Sequence, residues 1–248
     1  MELHVHTDPD RLAPYVLLPG DPGRARTVAE TYLDDVRLTT DNRGLLGYSG
    51  RYRGVPVSVQ TTGMGCPSLA IVVEELIRLG ATTLVRIGTA GIVADEVRPG
   101  DRVIADAAVP ADGTTRAYLN GAPYATTPDF ATTRALVDAA EPHGGAQVGL
   151  IRTEDAFYAT RPDDVAAMAR LGIIAVEMEA AALFLLGRLR KVRTGCMVVA
   201  SNHIGDPQFV APEVLSTGVD AMARSALDAF AALHARDAEA DAGAGATA

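Results

Sequence analysis

The sequence has no tryptophan, a single lysine and two cysteines in 248 residues, and no uninterrupted apolar stretch near the ~18 residues of a membrane-spanning helix. Each scarcity excludes something. Cys66 and Cys196 lie in separate segments with no CxxC pair, which excludes a disulfide framework and leaves no cysteine-based metal site; they read as reduced, partly buried thiols of a cytoplasmic protein. The N-terminus "MELHVHTDPD" lacks a basic region followed by an apolar one, so the protein is expected to stay where it is made. Positive charge is also in deficit, at a formal net charge of -9, which disfavours a nucleic-acid backbone or an anionic membrane as partner. A small anion would need a local basic site. Of the 22 basic residues only Lys191 is not arginine, so a lone arginine says little.

What is present is ordinary for a soluble globular chain: 48% hydrophobic and 21% charged residues, in a length that allows one large α/β domain or two small ones. Short β-branched runs read as strands at 15–20, 55–63, 82–88, 102–109, 146–153, 172–177 and 194–201. Helical patterns lie between them. "PSLAIVVEELIRLG" places Leu69, Val72, Val73, Leu76, Ile77 and Leu79 at three-to-four spacing, opens with Pro67 and Ser68, and stops at Gly80. Alternation of apolar strands and helices, without a repeat or a long linker, predicts one domain over residues 1–235, with a mostly parallel sheet covered by helices on both faces. Residues 236–248, small and polar, read as a disordered tail.

In such sheets ligands sit beyond the carboxyl ends of strands. Four strand ends stand out. "LPGDPGR" turns after Gly20 and starts a helix with Arg24 in its first turn, a combination suited to phosphate or carboxylate but also to a plain strand-to-helix turn. "RIGTAG" buries Arg86 among apolar neighbours ahead of Gly88, Thr89 and Gly91, so Arg86 needs either a bound anion or a buried glutamate. "TTGMGCPS" resembles a dinucleotide loop, but Ser68 stands where a third glycine belongs and no acid ends a second strand; close backbone approach to a small ligand explains the glycines as well. "VEMEAAALF" sets Glu177 and Glu179 on one side of an extended segment, either as an arginine partner and a helix N-terminal acid or as acceptors of a ribose diol.

Together with "NRGLLGYSGRYRG", these stretches occur in the order and spacing of the nucleoside phosphorylase family, and the chain from about His4 to residue 235 resembles its hexameric purine nucleoside and uridine phosphorylase branch, closer to the purine side. The resemblance implies a single α/β domain around a mixed, mostly parallel central sheet flanked by helices. It implies a pentosyltransferase that cleaves a nucleoside with inorganic phosphate to free base and (deoxy)ribose 1-phosphate, without metal or organic cofactor. Gly20, Arg24, Arg43, Arg86 and Thr89 would bind phosphate; His4, Met64, Phe157, Glu177, Met178, Glu179, Ser201 and Asn202 would bind the nucleoside; and Arg86, Glu179 and Asn202 would carry catalysis. His4 and Arg43 would complete a neighbouring subunit's site, in a hexamer built as a trimer of dimers.

The base side departs from the family pattern. The purine branch has Ser-Asp where this chain has Ser201-Asn202, and the arginine that assists the acid falls near Leu215. Asn202 cannot donate a full proton, and general acid catalysis is worth ~10²- to 10⁴-fold. A 6-oxopurine or a modified base is therefore expected over adenosine. Uridine phosphorylases insert a uracil-reading segment after the "FY" motif; here "DAFYATRPDD" runs directly into a helix, leaving Phe157 and Tyr158 as stacking or packing residues. Phosphorolysis of uridine or an unusual nucleoside, hydrolysis, and non-catalytic nucleoside binding are the alternatives.

Overall fold

The computed structural model describes residues 2–206 and 210–245. The strands are β1 (Tyr15–Pro19), β2 (Asp34–Thr40), β3 (Gly47–Tyr52), β4 (Val55–Gln60), β5 (Thr83–Ile92), β6 (Arg102–Ala111), β7 (Gln147–Glu154), β8 (Ile173–Glu177) and β9 (Arg193–His203). The helices are α1 (Pro22–Tyr32), α2 (Cys66–Arg78), α3 (Gly113–Tyr118), α4 (Phe130–Ala140), α5 (Pro162–Arg170), α6 (Ala180–Arg190) and α7 (Pro212–Gly245). All the strands belong to one mixed sheet in the order β2-β3-β4-β1-β5-β8-β7-β6-β9, closed into a ring by a further pairing of β9 with β5. β2 and β3 were not anticipated. β2 is largely exposed and β3 carries two glycines, so neither displays the apolar alternation that marks a half-buried strand.

β5 organises the molecule. One of its edges pairs in parallel with β9 along its length. The other pairs with β1 through Thr83–Ile87 and then, antiparallel, with β8 at Gly91 and Ile92. Between those two registers the edge pairs with neither strand, and the ends of β1 and β8 face each other across Gly88, Thr89 and Ala90.

Helices seal both faces. α2 buries Leu69, Val72, Val73 and Leu76 and packs with α6, whose stretch from Ala180 to Gly187 is entirely buried and includes Phe184. Each such fully buried large side chain stabilises the fold by roughly 1.5–3 kcal/mol. On the opposite face α7 lays Met222, Leu227, Phe230 and Leu233 over α4 and the sheet. Tyrosines of β1, α1 and β3 donate to acids of α7: Tyr15 to Asp237 at 2.6 Å, Tyr52 to Asp228 at 2.8 Å, and Tyr32 to Asp220.

The C-terminal expectation requires correction. Residues 236–245 are helical, because alanine and glutamate propagate a helix that Leu233 has already docked, and Asp237 is held by Tyr15 and by both terminal nitrogens of Arg193 at 2.8 and 2.6 Å. Residues 246–248 of the expected tail lie outside the described residues. No helix among the described residues is long and apolar enough to cross a membrane.

Candidate active site

At the gap beside β5, Gly20 and Gly88 stand where a Cβ has no room. A methyl on Gly88 would lie 2.8–3.1 Å from the guanidinium of Arg86, which folds back along its own strand. Likewise a methyl on Gly20 would lie 2.9 Å from the carbonyl oxygen of Gly63, so the turn after β1 and the turn before α2 touch backbone to backbone. Gly63 and Gly65 take φ values of +71° and +87°, in the left-handed region. That curvature aims the Gly65 amide at Glu179.

Arg86, 4% exposed, lies between the two carboxylates of the Glu-Met-Glu segment. Its Nε donates to Glu177 Oε2 at 2.7 Å, and a terminal nitrogen reaches Glu179 Oε2 at 2.5 Å. Glu177 also accepts from Thr153 Oγ1 at 2.5 Å, from the Glu179 amide at 2.8 Å and from the Ala180 amide at 3.0 Å. Its role at the start of α6 is therefore the one expected of Glu179: the carboxylate at the strand end reaches the first helical amides, while Glu179 turns across to Gly65.

The charges are coupled. Burial alone would lower the pKa of Arg86, but Glu179 and Glu177 outweigh it and hold the guanidinium charged. Burial raises the pKa of Glu179, the charge of Glu177 adds to the rise, and Arg86 and the Gly65 amide oppose it. Arg24, half-buried in the first turn of α1, has its pKa lowered by burial and by the charge of Arg86, against the pull of Asp21. Asp21 caps the helix by accepting the Arg24 amide at 2.6 Å. Among the described residues the Arg24 guanidinium makes no ion pair, so two cations share a site whose carboxylates are both spent on one of them.

Gly20, Arg24, Arg86, Thr89, Glu177, Met178 and Glu179 thus gather around one gap, with Thr89 and Met178 half-exposed at its mouth. Other expected site residues lie elsewhere. His4 is on the outer side of α2, its Nδ1 2.7 Å from Glu75 Oε1, where it lines a groove of about 670 Å³ with Pro67, Ile71 and Tyr118. Arg43 is exposed at a left-handed backbone position (φ 57°) and makes no ion pair among the described residues. Met64 is 83% exposed beside the glycine turn. Phe157 and Tyr158 are exposed and meet edge to face at 5.0 Å, so core packing is not their role.

Asn202 is hydrogen-bonded within its own loop. Its amide nitrogen donates to the carbonyls of His203 and Asp206, each at 3.1 Å, and its oxygen accepts from Ser201 Oγ at 2.9 Å. Ser201 Oγ also lies 3.0 Å from the Ala90 carbonyl, so its single proton is shared between the two acceptors. A short amide beside a tight turn reaches its own loop first, so Asn202 closes the loop after β9 instead of presenting a free donor.

Residues 14–236 match the phosphorylase superfamily. The chain belongs to the phosphorylase superfamily. It is 40% identical over 230 residues to a DeoD-type purine nucleoside phosphorylase of Exiguobacterium sp., covering 92% of this chain and 97% of that one. It is 37% identical over 231 residues to a DeoD-type purine nucleoside phosphorylase of Bacillus cereus, covering 92% and 98%. Among solved structures it superposes on purine nucleoside phosphorylase from Toxoplasma gondii in complex with immucillin-H, with a TM-score of 0.88 at 25% identity over 95% of this chain and 97% of the other. Uridine phosphorylase from Vibrio fischeri gives a TM-score of 0.84 at 29% identity over 93% and 97%.

Within this superfamily fold, sequence reasoning missed the parts played by Thr153 and Cys66. Thr153 is fully buried at the end of β7 and bridges Glu177 to the Ala181 amide at 3.0 Å; its position at a strand end was the available signal. Cys66 donates its thiol to the Met178 carbonyl at 3.2 Å and so fixes the segment between the two glutamates. Cys66, Asp112 and Asp155 offer ligand atoms within 4.8 Å of one another, the described group nearest to a cation site. Burial pushes the Cys66 thiol up, which keeps it protonated, while Asp112 accepts the Thr115 amide at 2.6 Å and Asp155 the Gly113 amide at 2.7 Å. The trio fits helix capping and a thiol donor better than it fits a metal.

Proposed function

We infer that the protein is a purine nucleoside phosphorylase, a cytoplasmic pentosyltransferase that uses inorganic phosphate as co-substrate. The observation that carries the reading is the pairing of Arg86 with both Glu177 and Glu179 beside an Arg24 that makes no ion pair among the described residues, at the gap where β1 and β8 end along β5. The DeoD-type relatives support the purine substrate.

In this reading phosphate enters against Arg24, Thr89 and the amide at Gly20, with Arg86 turning part of its guanidinium toward it and a neighbour's Arg43 closing the site. Met178 and Glu179 hold the sugar, and a neighbour's His4 meets the 5'-hydroxyl. A phosphate oxygen attacks the anomeric carbon as the carbon–nitrogen bond to the base breaks, so the sugar passes through a cationic state between phosphate and Glu179. The bonding electrons leave with the base. Because Glu179 already spends one oxygen on Gly65 and the other on Arg86, a ligand hydroxyl uses the remaining lone pairs of an oriented carboxylate instead of capturing a free one.

The test is base release from a panel of purine and pyrimidine nucleosides with and without phosphate. Release that requires phosphate and favours purines is expected. Arg86→Ala should reduce it at least ~10³-fold, the scale of losing a preorganised charge at the reacting centre. Release at the same rate without phosphate, or full turnover by the variant, would remove the assignment.

A further inference from the structure

A second hollow lies one residue further along β7. In the parallel pairing of β7 with β8, Thr153 stands opposite Glu177 and Arg152 opposite Val176. Partners in register share a face, so Thr153 turns toward the Arg86 cluster while Arg152 and Glu154 turn to the face of Val176 and Met178. On that face a cavity of about 370 Å³ opens between the end of β7, the loop after it and α5. This lies within the ~300–1,000 Å³ range of small-molecule sites. Its walls are alanines with Met168 and Leu171, and its polar groups are Arg152, Glu154, Thr160 and two aspartates. Met168 packs in one small apolar cluster with Val176 and Ile204, the last on the loop that Asn202 closes. Through Met168 the α5 wall of the cavity packs against Val176, two residues before Met178, and against Ile204 of the loop after β9.

Its polar end is organised. Glu154 Oε1 accepts from Arg152 Nε at 2.6 Å and Oε2 from Thr160 Oγ1 at 3.0 Å. Each carboxylate oxygen keeps a free lone pair, and the terminal nitrogens of Arg152 make no other hydrogen bond among the described residues. Two acceptors beside a donor complement a heterocycle edge that offers two N–H groups beside a carbonyl. The edge of a 2-amino-6-oxopurine has that pattern, whereas a 6-aminopurine would put a ring-nitrogen lone pair against the carboxylate.

We propose that Glu154, positioned by Arg152 and Thr160, reads the N1–H and 2-amino edge of a guanine-type base and sets the base preference of this enzyme. The proposal rests on purine nucleoside phosphorolysis. It moves base reading from Asn202, whose amide is bound within its own loop, to the end of β7.

The experiment compares kcat/KM for guanosine, inosine and adenosine in wild type and Glu154→Gln, an isosteric change at a half-buried position. Wild type should rank guanosine first. The variant should lose roughly 10- to 100-fold in the guanosine-to-adenosine ratio, as expected for one bidentate contact to a base edge, with most of the change in KM for guanosine and the phosphate KM retained. Calorimetric binding of guanosine and adenosine to the same two proteins reads the contrast without turnover. Guanosine-selective binding without phosphorolysis would sink the parent reading and leave this one standing. Adenosine binding or turning over as well as guanosine in wild type, or a variant that weakens all three nucleosides equally, would overturn the assignment to Glu154.

Discussion

At Glu179 burial and neighbouring charge act on one carboxyl in opposite directions, and the outcome fixes a pH dependence. Burial raises its pKa and Glu177 adds to the rise, against Arg86 and the Gly65 amide. In the proposed function the form of Glu179 that accepts sugar hydroxyls is the anion. As pH falls through the raised value the carboxyl takes a proton, one acceptor becomes a donor, and its attraction to Arg86 is lost. kcat/KM should therefore fall on the acid side with a midpoint above the ordinary glutamate value of ~4.3. Glu179→Gln should lower kcat by about 100-fold and remove that limb, because nothing titrates at the position any longer. An acid limb that survives the substitution with the same midpoint would assign it to another group. Arg86 complicates no part of this, since it stays charged throughout.

Among the elements, α2 declared itself in sequence by its periodic apolar face and by the punctuation of Pro67 and Gly80, α3 was not anticipated, and the strands legible as such were those with near-continuous apolar runs. β2 escaped because an exposed edge has no face to bury, and β3, paired on both sides, because its two glycines interrupt the apolar alternation. The site was legible where a residue type was expensive to bury: Arg86, Glu177 and Glu179 each required partners, and they found one another. Asn202 and the Thr153 bridge were not legible, since a local turn and a register between strands distant in sequence decide where those side chains end. The α7 extension was hidden for a similar reason. Composition shows nothing for residues 236–245 to bury, but the contacts that matter there are polar and come from Tyr15 and Arg193. Tyr15, its pKa pushed up to about 12 by burial and by Asp237, donates to that carboxylate throughout the neutral range. A chain ending at Arg236 should lose about 1–2 kcal/mol, the net worth of one or two such bonds, and melt a few degrees lower by calorimetry. An unchanged melting temperature would show that α7 is complete at Leu233.

At the scale of the whole molecule the phosphate site proposed above is incomplete within one chain. Arg24 and Arg86 lie at the gap, but Arg43 is exposed on a left-handed turn and His4 is tied to Glu75 on the outer side of α2. If those two residues serve a neighbour, neither can be replaced without harming a site in another subunit, and the sharing can be read by complementation. Arg43→Ala and Arg86→Ala should each be nearly inactive alone. In a reciprocal pair made of one of each, one site receives intact Arg86 from its own chain and intact Arg43 from its neighbour, while the other site receives neither. Random reassociation of equal amounts makes half of the pairs mixed, each with one working site of two, so the mixture should recover roughly a quarter of wild-type phosphorolysis. Recovery should appear only after subunits have been dissociated and reassociated, and light scattering should report the same assembly before and after. A mixture that stays as inactive as its components would mean that Arg43 acts within its own chain.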